Sequence, residues 1–129
     1  MNVDDVARNI EAIRARIARA GGADRTKLIA VTKGFGADAV RAALACGVTD
    51  IGESYLQEMQ QKIVDLGDDA SRVQWQVIGR LQRNKVRLVA PHVALWHSVD
   101  RVELGAEIAK RAPGAAVLVQ VNVSAEPQK

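Results

Sequence analysis

Lys33 stands where a run of β-compatible residues, Leu28-Ile29-Ala30-Val31-Thr32, gives way to Gly34-Phe35-Gly36. An ammonium at the C-terminal lip of an inner strand is expected to be partly desolvated, which favours the neutral amine and frees it to attack an aldehyde. The same design recurs along the chain. Polar or small residues close each later apolar run: Gly52-Glu53-Ser54, Gly79-Arg80-Leu81-Gln82, His97-Ser98-Val99-Asp100 and Asn122. A parallel α/β fold gathers such strand ends on one face, where barrels of this class place their sites. Lysines are mostly exposed, and strand ends need caps and turns whether or not chemistry is done there. The recurrence of Lys, Glu, Arg, His and Asn at successive ends is what favours a site. The glycines at 34, 52 and 79 suit close approach of a ligand to the backbone, or tight turns.

These residues need elements to hold them. Val6, Ile10, Ile13 and Ile17 recur at helical spacing from Val3 to about Ala20, and Gly21-Gly22 ends the run. An amphipathic helix therefore precedes any strand. Alternation follows: strands are predicted over 28–32, 48–51, 73–78, 93–96 and 117–123. Helices are predicted over 37–46, 54–66, 82–89 and 101–111. Ser54 is the expected N-cap of the second of these, with Gln57 as capping-box partner, and Ser98 or Asp100 is the expected cap of the last. Strands alternating with helices imply parallel pairing through right-handed crossovers. Strands as apolar as Leu28–Val31 and Val117–Val121 are covered on both faces, as in barrels and doubly wound sheets. No GxGxxG follows the first strand, so a dinucleotide-type sheet has no direct support. The whole chain, 1–129, reads as one domain without linker or low-complexity segment.

Composition narrows the function classes. At 48% apolar residues the chain is that of an ordinary globular protein. Four aromatic residues (two Trp, one Tyr, one Phe) make no stacking surface for single-stranded nucleic acid. The net charge of +3 is modest, and the arginines of the first helix are diluted by Asp4, Asp5 and Glu11, so no nucleic-acid partner is expected. The single cysteine, Cys46, allows no internal disulfide and fits a reducing cytosol. His92 and His97 stand apart, with no cysteine at ligand spacing, so no metal is expected. No membrane partner is expected either, for want of a long apolar run, and a cytoplasmic location follows as the expectation.

Five strings then appear in order: Ala30-Val31-Thr32-Lys33, Ile51 through Glu58, Ile78 through Lys85, His97-Ser98-Val99-Asp100 and Gln120-Val121-Asn122. Together they resemble the pyridoxal phosphate homeostasis proteins, single-domain relatives of the alanine racemase barrel. The resemblance implies a (β/α)8 TIM-barrel type fold, here an incomplete barrel of about five parallel strands with an extra N-terminal helix. It implies that Lys33 holds pyridoxal 5′-phosphate (PLP) as a Schiff base, with Ser54 and Asn122 among the cofactor-binding residues. Ser54 departs from the asparagine usual in the family, and its shorter reach changes that contact. The implied role is intracellular PLP homeostasis, with PLP-dependent apo-enzymes as partners.

Family members continue through roughly three more strands, whose glycine- and serine-rich loops bind the cofactor phosphate. A five-stranded portion leaves two sheet edges open, so self-association through those edges, pairing with a complementary half, or else poor stability is expected. An enzyme using this cofactor also needs a general acid or base on the far face of the ring. Only Tyr55 and His97 have suitable chemistry, and both are more simply explained by packing and loop orientation. A carrier without robust catalysis is therefore the first reading. The alternatives are an amino-acid racemase or decarboxylase relative using the same lysine, and a truncated remnant that no longer binds the cofactor.

Overall fold

The computed structural model describes residues 2–127. Its elements in chain order are α1 (Val3–Arg19), β1 (Ile29–Val31), α2 (Ala37–Ala45), β2 (Asp50–Glu53), α3 (Leu56–Leu66), β3 (Gln74–Val77), β4 (Val93–Val99), α4 (Val102–Arg111) and β5 (Val117–Val119). Short 3-10 segments at Gly67–Arg72, Arg83–Leu88 and Ala90–His92 complete the connections. The five strands form one sheet in the order β1-β2-β3-β4-β5, every pair parallel. Strand order equal to chain order means that every crossover steps in the same direction. Crossovers of one hand then lay all the helices on one face, which is the logic of a barrel wall; a doubly wound sheet reverses its order. The fold is thus an α/β barrel segment with five parallel strands.

The two faces of this sheet differ. Alternation along β2 and β3 sends Ile51, Glu53, Trp75 and Val77 toward the helices, with Trp96 of β4 beside them in register. There they meet Val40, Ala43 and Leu44 of α2, Met59 and Leu66 of α3, and Leu104 and Ile108 of α4 in one core. The opposite face carries Ile29, Val31, Asp50, Gly52, Gln76 and His97. In a closed barrel that is the interior; here Val31 is 50% exposed. The strands at the two margins have one unpaired edge each, and all three residues of β5 are exposed.

Several predicted boundaries move, each for a local reason. The second strand is predicted over 48–51 but runs Asp50–Glu53, because the Val48 amide donates back to the Ala43 carbonyl (3.0 Å) and closes α2. That bond removes Val48 from the ladder. Ser54 does not cap α3: Tyr55 occupies the cap position, with no side-chain cap bond. Ser54 is held instead by Gly79, where an added Cβ would lie 2.7 Å from the Ser54 Cα, Cβ and carbonyl oxygen. Ser98 and Asp100 do not cap α4 either. Ser98 lies inside β4, its hydroxyl donating to the Ile78 carbonyl (3.1 Å), and Asp100 pairs with Arg101 (2.7 Å). The predicted helix over 82–89 is a 3-10 segment, Arg83–Leu88, followed by a second, Ala90–His92, with Pro91 in its first turn. β5 is shorter than predicted; one further bond, Gln120 N–H to the Val99 carbonyl (2.8 Å), carries the pairing past Val119.

Candidate functional site

Lys33 lies in the turn that follows β1, at the C-terminal end of the sheet. Period-two alternation from Val31 sends it to the open face, while Thr32 turns toward the helices and is 5% exposed. The desolvation expected of Lys33 is not found: its side chain is exposed, because these strands present their concave face to solvent. Among the described residues Lys33 makes no hydrogen bond or ion pair.

Its backbone, by contrast, is pinned on both sides. The Thr32 amide donates to the Gly52 carbonyl (3.1 Å), and the Thr32 carbonyl accepts from both the Phe35 amide (3.1 Å) and the Lys62 ammonium (2.7 Å). The Gly34 amide donates to Glu58 Oε1 (2.7 Å). Gly34 has φ +82°, a conformation glycine adopts without the penalty of a Cβ. Beneath the turn, Glu53 Oε1 accepts from both the Thr32 hydroxyl and the Lys62 ammonium. Glu53 is 0% exposed and Lys62 2%. Glu58 adds a second carboxylate at 3.8 Å from Lys62. The three protons of Lys62 thus meet Glu53, the Thr32 carbonyl and, at 3.4 Å, the Thr32 hydroxyl. A buried charge pair is costly unless its hydrogen-bonding capacity is met; the capacity of Lys62 is spent on fixing the Lys33 turn, while Glu53 Oε2 is buried without a hydrogen-bond partner. The sequence reading missed Lys62. A signal was present: Lys62 shares the buried face of α3 with Leu56, Met59 and Leu66, at spacings of one helical stripe.

The two lysines are therefore chemically distinct. Lys62 is committed to a carboxylate and shielded from solvent. Lys33 offers an accessible amine on a rigid backbone, which is the arrangement an aldehyde-bearing ligand requires.

The other expected site residues distribute themselves differently. Ser54 lines a cleft of about 520 Å³ between the β2–α3 connection, the segment after β3 and the start of α4. Neither Lys33 nor Asn122 lines that cleft. Asn122 follows β5, the strand at the opposite margin of the sheet from β1, and accepts from the Glu126 amide (3.1 Å) in an exposed turn. His97 belongs to the sheet rather than to a strand-end loop. Asp50 Oδ1 accepts from Gln76 Nε2 (3.0 Å), which leaves Gln76 Oε1 to face His97 Nε2 at 2.7 Å. With a carboxylate as acceptor at one end, Gln76 must donate there and accept from the imidazole, so His97 Nε2 carries the proton. Lys27 extends this open-face row, 3.6 Å from Asp50.

Residues 1–126 match the family described as alanine racemase, N-terminal domain. The chain belongs to that family. Relatives within it share a name. A Pseudomonas aeruginosa pyridoxal phosphate homeostasis protein is 41% identical, covering 96% of this chain and 57% of its own length. The Escherichia coli protein of the same name is 33% identical, covering 98% and 58%. Among solved structures, PipY of Synechococcus elongatus with PLP bound superposes with a TM-score of 0.74 at 32% identity, over 87% of this chain and 54% of PipY. A protein of unknown function from Bifidobacterium adolescentis superposes with a TM-score of 0.83 at 30% identity, over 98% and 58%. The chain spans somewhat more than half the length of these relatives. The matched span covers the β1 lysine turn, the end of β2 and the segment after β3.

Proposed function

We propose that this chain is one partial barrel domain, over residues 1–129, that holds PLP as a Schiff base on Lys33 and serves intracellular PLP homeostasis. The observation that carries this reading is the contrast at β1: an exposed, unpaired Lys33 amine on a turn held by the buried Lys62 and the half-buried Glu58 of α3. When bound, PLP supplies an aldehyde that condenses with a neutral amine, with loss of water. The chain's own contribution is orientation. Lys62 and Glu58 hold the peptides on either side of Lys33, so the amine projects from a fixed base over the open face. The donor set suits an aldehyde: one accessible amine, and a second lysine withdrawn from competition by Glu53.

Ser54 and Asn122 complete the proposed contacts, Ser54 from the rim of the neighbouring cleft and Asn122 from the far margin of the sheet. The relatives named for PLP homeostasis and the PLP-bound PipY structure support the choice of cofactor. No described helix is long and apolar enough to cross a membrane, and a cytoplasmic location belongs to the proposal. PLP-dependent apo-enzymes are the proposed recipients, and the open edges at β1 and β5 are proposed to pair with a second copy or a complementary half. The role is carriage rather than turnover: His97, one of two residues suited to acid–base work, is tied into the sheet by Gln76.

The test is titration with PLP followed by borohydride reduction and mass spectrometry. A single adduct on Lys33, absent from Lys33→Ala, is the expected result. Labelling scattered over surface lysines, with Lys33 no more reactive than the rest, would defeat the proposal.

A further inference from the structure

Of the three ionic side chains behind the Lys33 turn, two are sealed and one is reachable from solvent. The side chains of Glu53 and Lys62 are 0% and 3% exposed, that of Glu58 35%. Glu53 accepts from Lys62 and from the Thr32 hydroxyl, so moving it would leave a buried ammonium without its counter-charge. Glu58 is different. It lies 3.8 Å from Lys62, beyond hydrogen-bond reach, and the Lys62 protons are met by Glu53 and Thr32. The bond Glu58 does make, from the Gly34 amide at 2.7 Å, has an exposed donor. Its departure would strip no buried group of a hydrogen bond. Gly34 depends on it all the same: φ is +82°, and no atom lies within 4 Å of where a Cβ would stand, so packing does not fix this peptide. The Thr32 side of the turn is held separately, by the Gly52 carbonyl and by Lys62.

A second position is open to the same carboxylate. Glu58 stands in the first turn of α3, whose start has no side-chain cap, and the Tyr55 amide makes no hydrogen bond among the described residues. A glutamate two residues into a helix from its first residue reaches back to the amide of the residue before the helix, and the positive end of the helix dipole favours it there. We propose that Glu58 is a two-position latch on the Lys33 turn. On the Gly34 amide it fixes the base of the Lys33 amine; on the N-terminus of α3 it leaves that base loose. A fixed amine gives up less conformational freedom when a ligand joins it, so the latched turn retains an aldehyde and the unlatched turn returns it to solution. Release consumes one water: the carbon–nitrogen double bond gives way to the aldehyde carbonyl, and the Lys33 amine is restored. Glu58 is thus a positioning residue for retention and release, while Glu53 and Lys62 are permanent structure.

The latch rests on the reading of Lys33 as the amine that holds PLP, and two measurements keep them apart. Hydrogen exchange of backbone amides is followed by NMR on the full chain without PLP, in wild type, Glu58→Ala and Glu58→Gln. The Gly34 amide should be protected in wild type and exchange about tenfold faster in Glu58→Ala, as loss of a charged hydrogen bond predicts. The Tyr55 amide should also exchange faster there, having lost its second-position partner, while the amides of β2 and β3 keep their wild-type rates. Glu58→Gln keeps an acceptor oxygen at the same reach and should stay nearer wild type at Gly34. PLP is then titrated and the absorbance of the Lys33 adduct followed. Glu58→Ala should bind about tenfold more weakly and lose the adduct faster on dilution, with Glu58→Gln between it and wild type. Gly34 exchange indifferent to Glu58→Ala, a Tyr55 amide that does not respond, or faster exchange spreading through β2 and β3 would overturn the latch. So would unchanged PLP retention after Gly34 protection is lost. A wild type that takes no PLP on Lys33 defeats the carrier reading instead, and the Gly34 and Tyr55 amides still decide whether Glu58 moves between two positions.

Discussion

One sheet presents two surfaces, and they obey different rules. On the helix side every inward position of β2 and β3 is filled, and even the charged pair Glu53–Lys62 is sealed and almost fully bonded. On the open side stand Val31, Lys33 and the Asp50–Gln76–His97 row, partly wet and partly bonded. The difference separates scaffold from reagent. The helix side is where the chain invests its packing, and the backbone on either side of Lys33 is fixed by Lys62 and Glu58 of α3.

That contrast can be broken most severely at Glu53. Glu53→Leu strands the Lys62 ammonium in the core and should cost about 3–5 kcal/mol, comparable to the whole stability of a small domain. Denaturant unfolding followed by circular dichroism measures it. The double variant Glu53→Leu/Lys62→Met should recover most of the loss, since a well-packed apolar pair replaces a buried ionic one at little cost. If that double variant is stable but binds PLP poorly at Lys33, the pair serves the turn and not the core. Next in size is Gly79→Ala, whose new methyl meets the Ser54 backbone at 2.7 Å; overpacking of this kind costs about 1–3 kcal/mol. It should also disturb the Ser54 cleft, visible as shifts of the Tyr55 signals. On the open face, His97→Ala removes one hydrogen bond from a half-wet row and should cost about 1 kcal/mol. Smallest are Lys33→Ala and Val119→Thr, both at exposed positions and each expected within about 0.5 kcal/mol of wild type by the same unfolding assay. A large loss at Lys33 would mean that the two faces are not independent.

Much of the architecture was legible in the residues. Five apolar runs alternating with helical periodicity gave five parallel strands, and the amphipathic repeat Val6/Ile10/Ile13/Ile17 marked α1. Boundaries failed where a backbone bond belonged to two possible elements. Val48 looks like strand, but its amide is taken by the end of α2. Ser54 looks like a cap, but its conformation is set by Gly79, which is remote in sequence. The site was half legible. Lys33 was visible because glycines punctuate a strand end, a local signal. Lys62 was not, because a lysine in an apolar stripe reads as a solvated interruption until Glu53 is known to lie opposite it. Its partner comes from another element, and no spacing rule along a single helix reports that.

The agreement between strand order and chain order has a consequence for synthesis. As each strand leaves the ribosome, the neighbour it pairs with has already been made, so the sheet can grow by accretion from β1 onward without waiting for distant partners. The Lys33 turn is an exception to that schedule. Its clamp, Lys62, lies 30 residues beyond the Thr32 carbonyl it holds. A nascent chain therefore carries Lys33 on a loose loop until α3 has folded back, and the amine gains its fixed footing only when the second βα unit is complete.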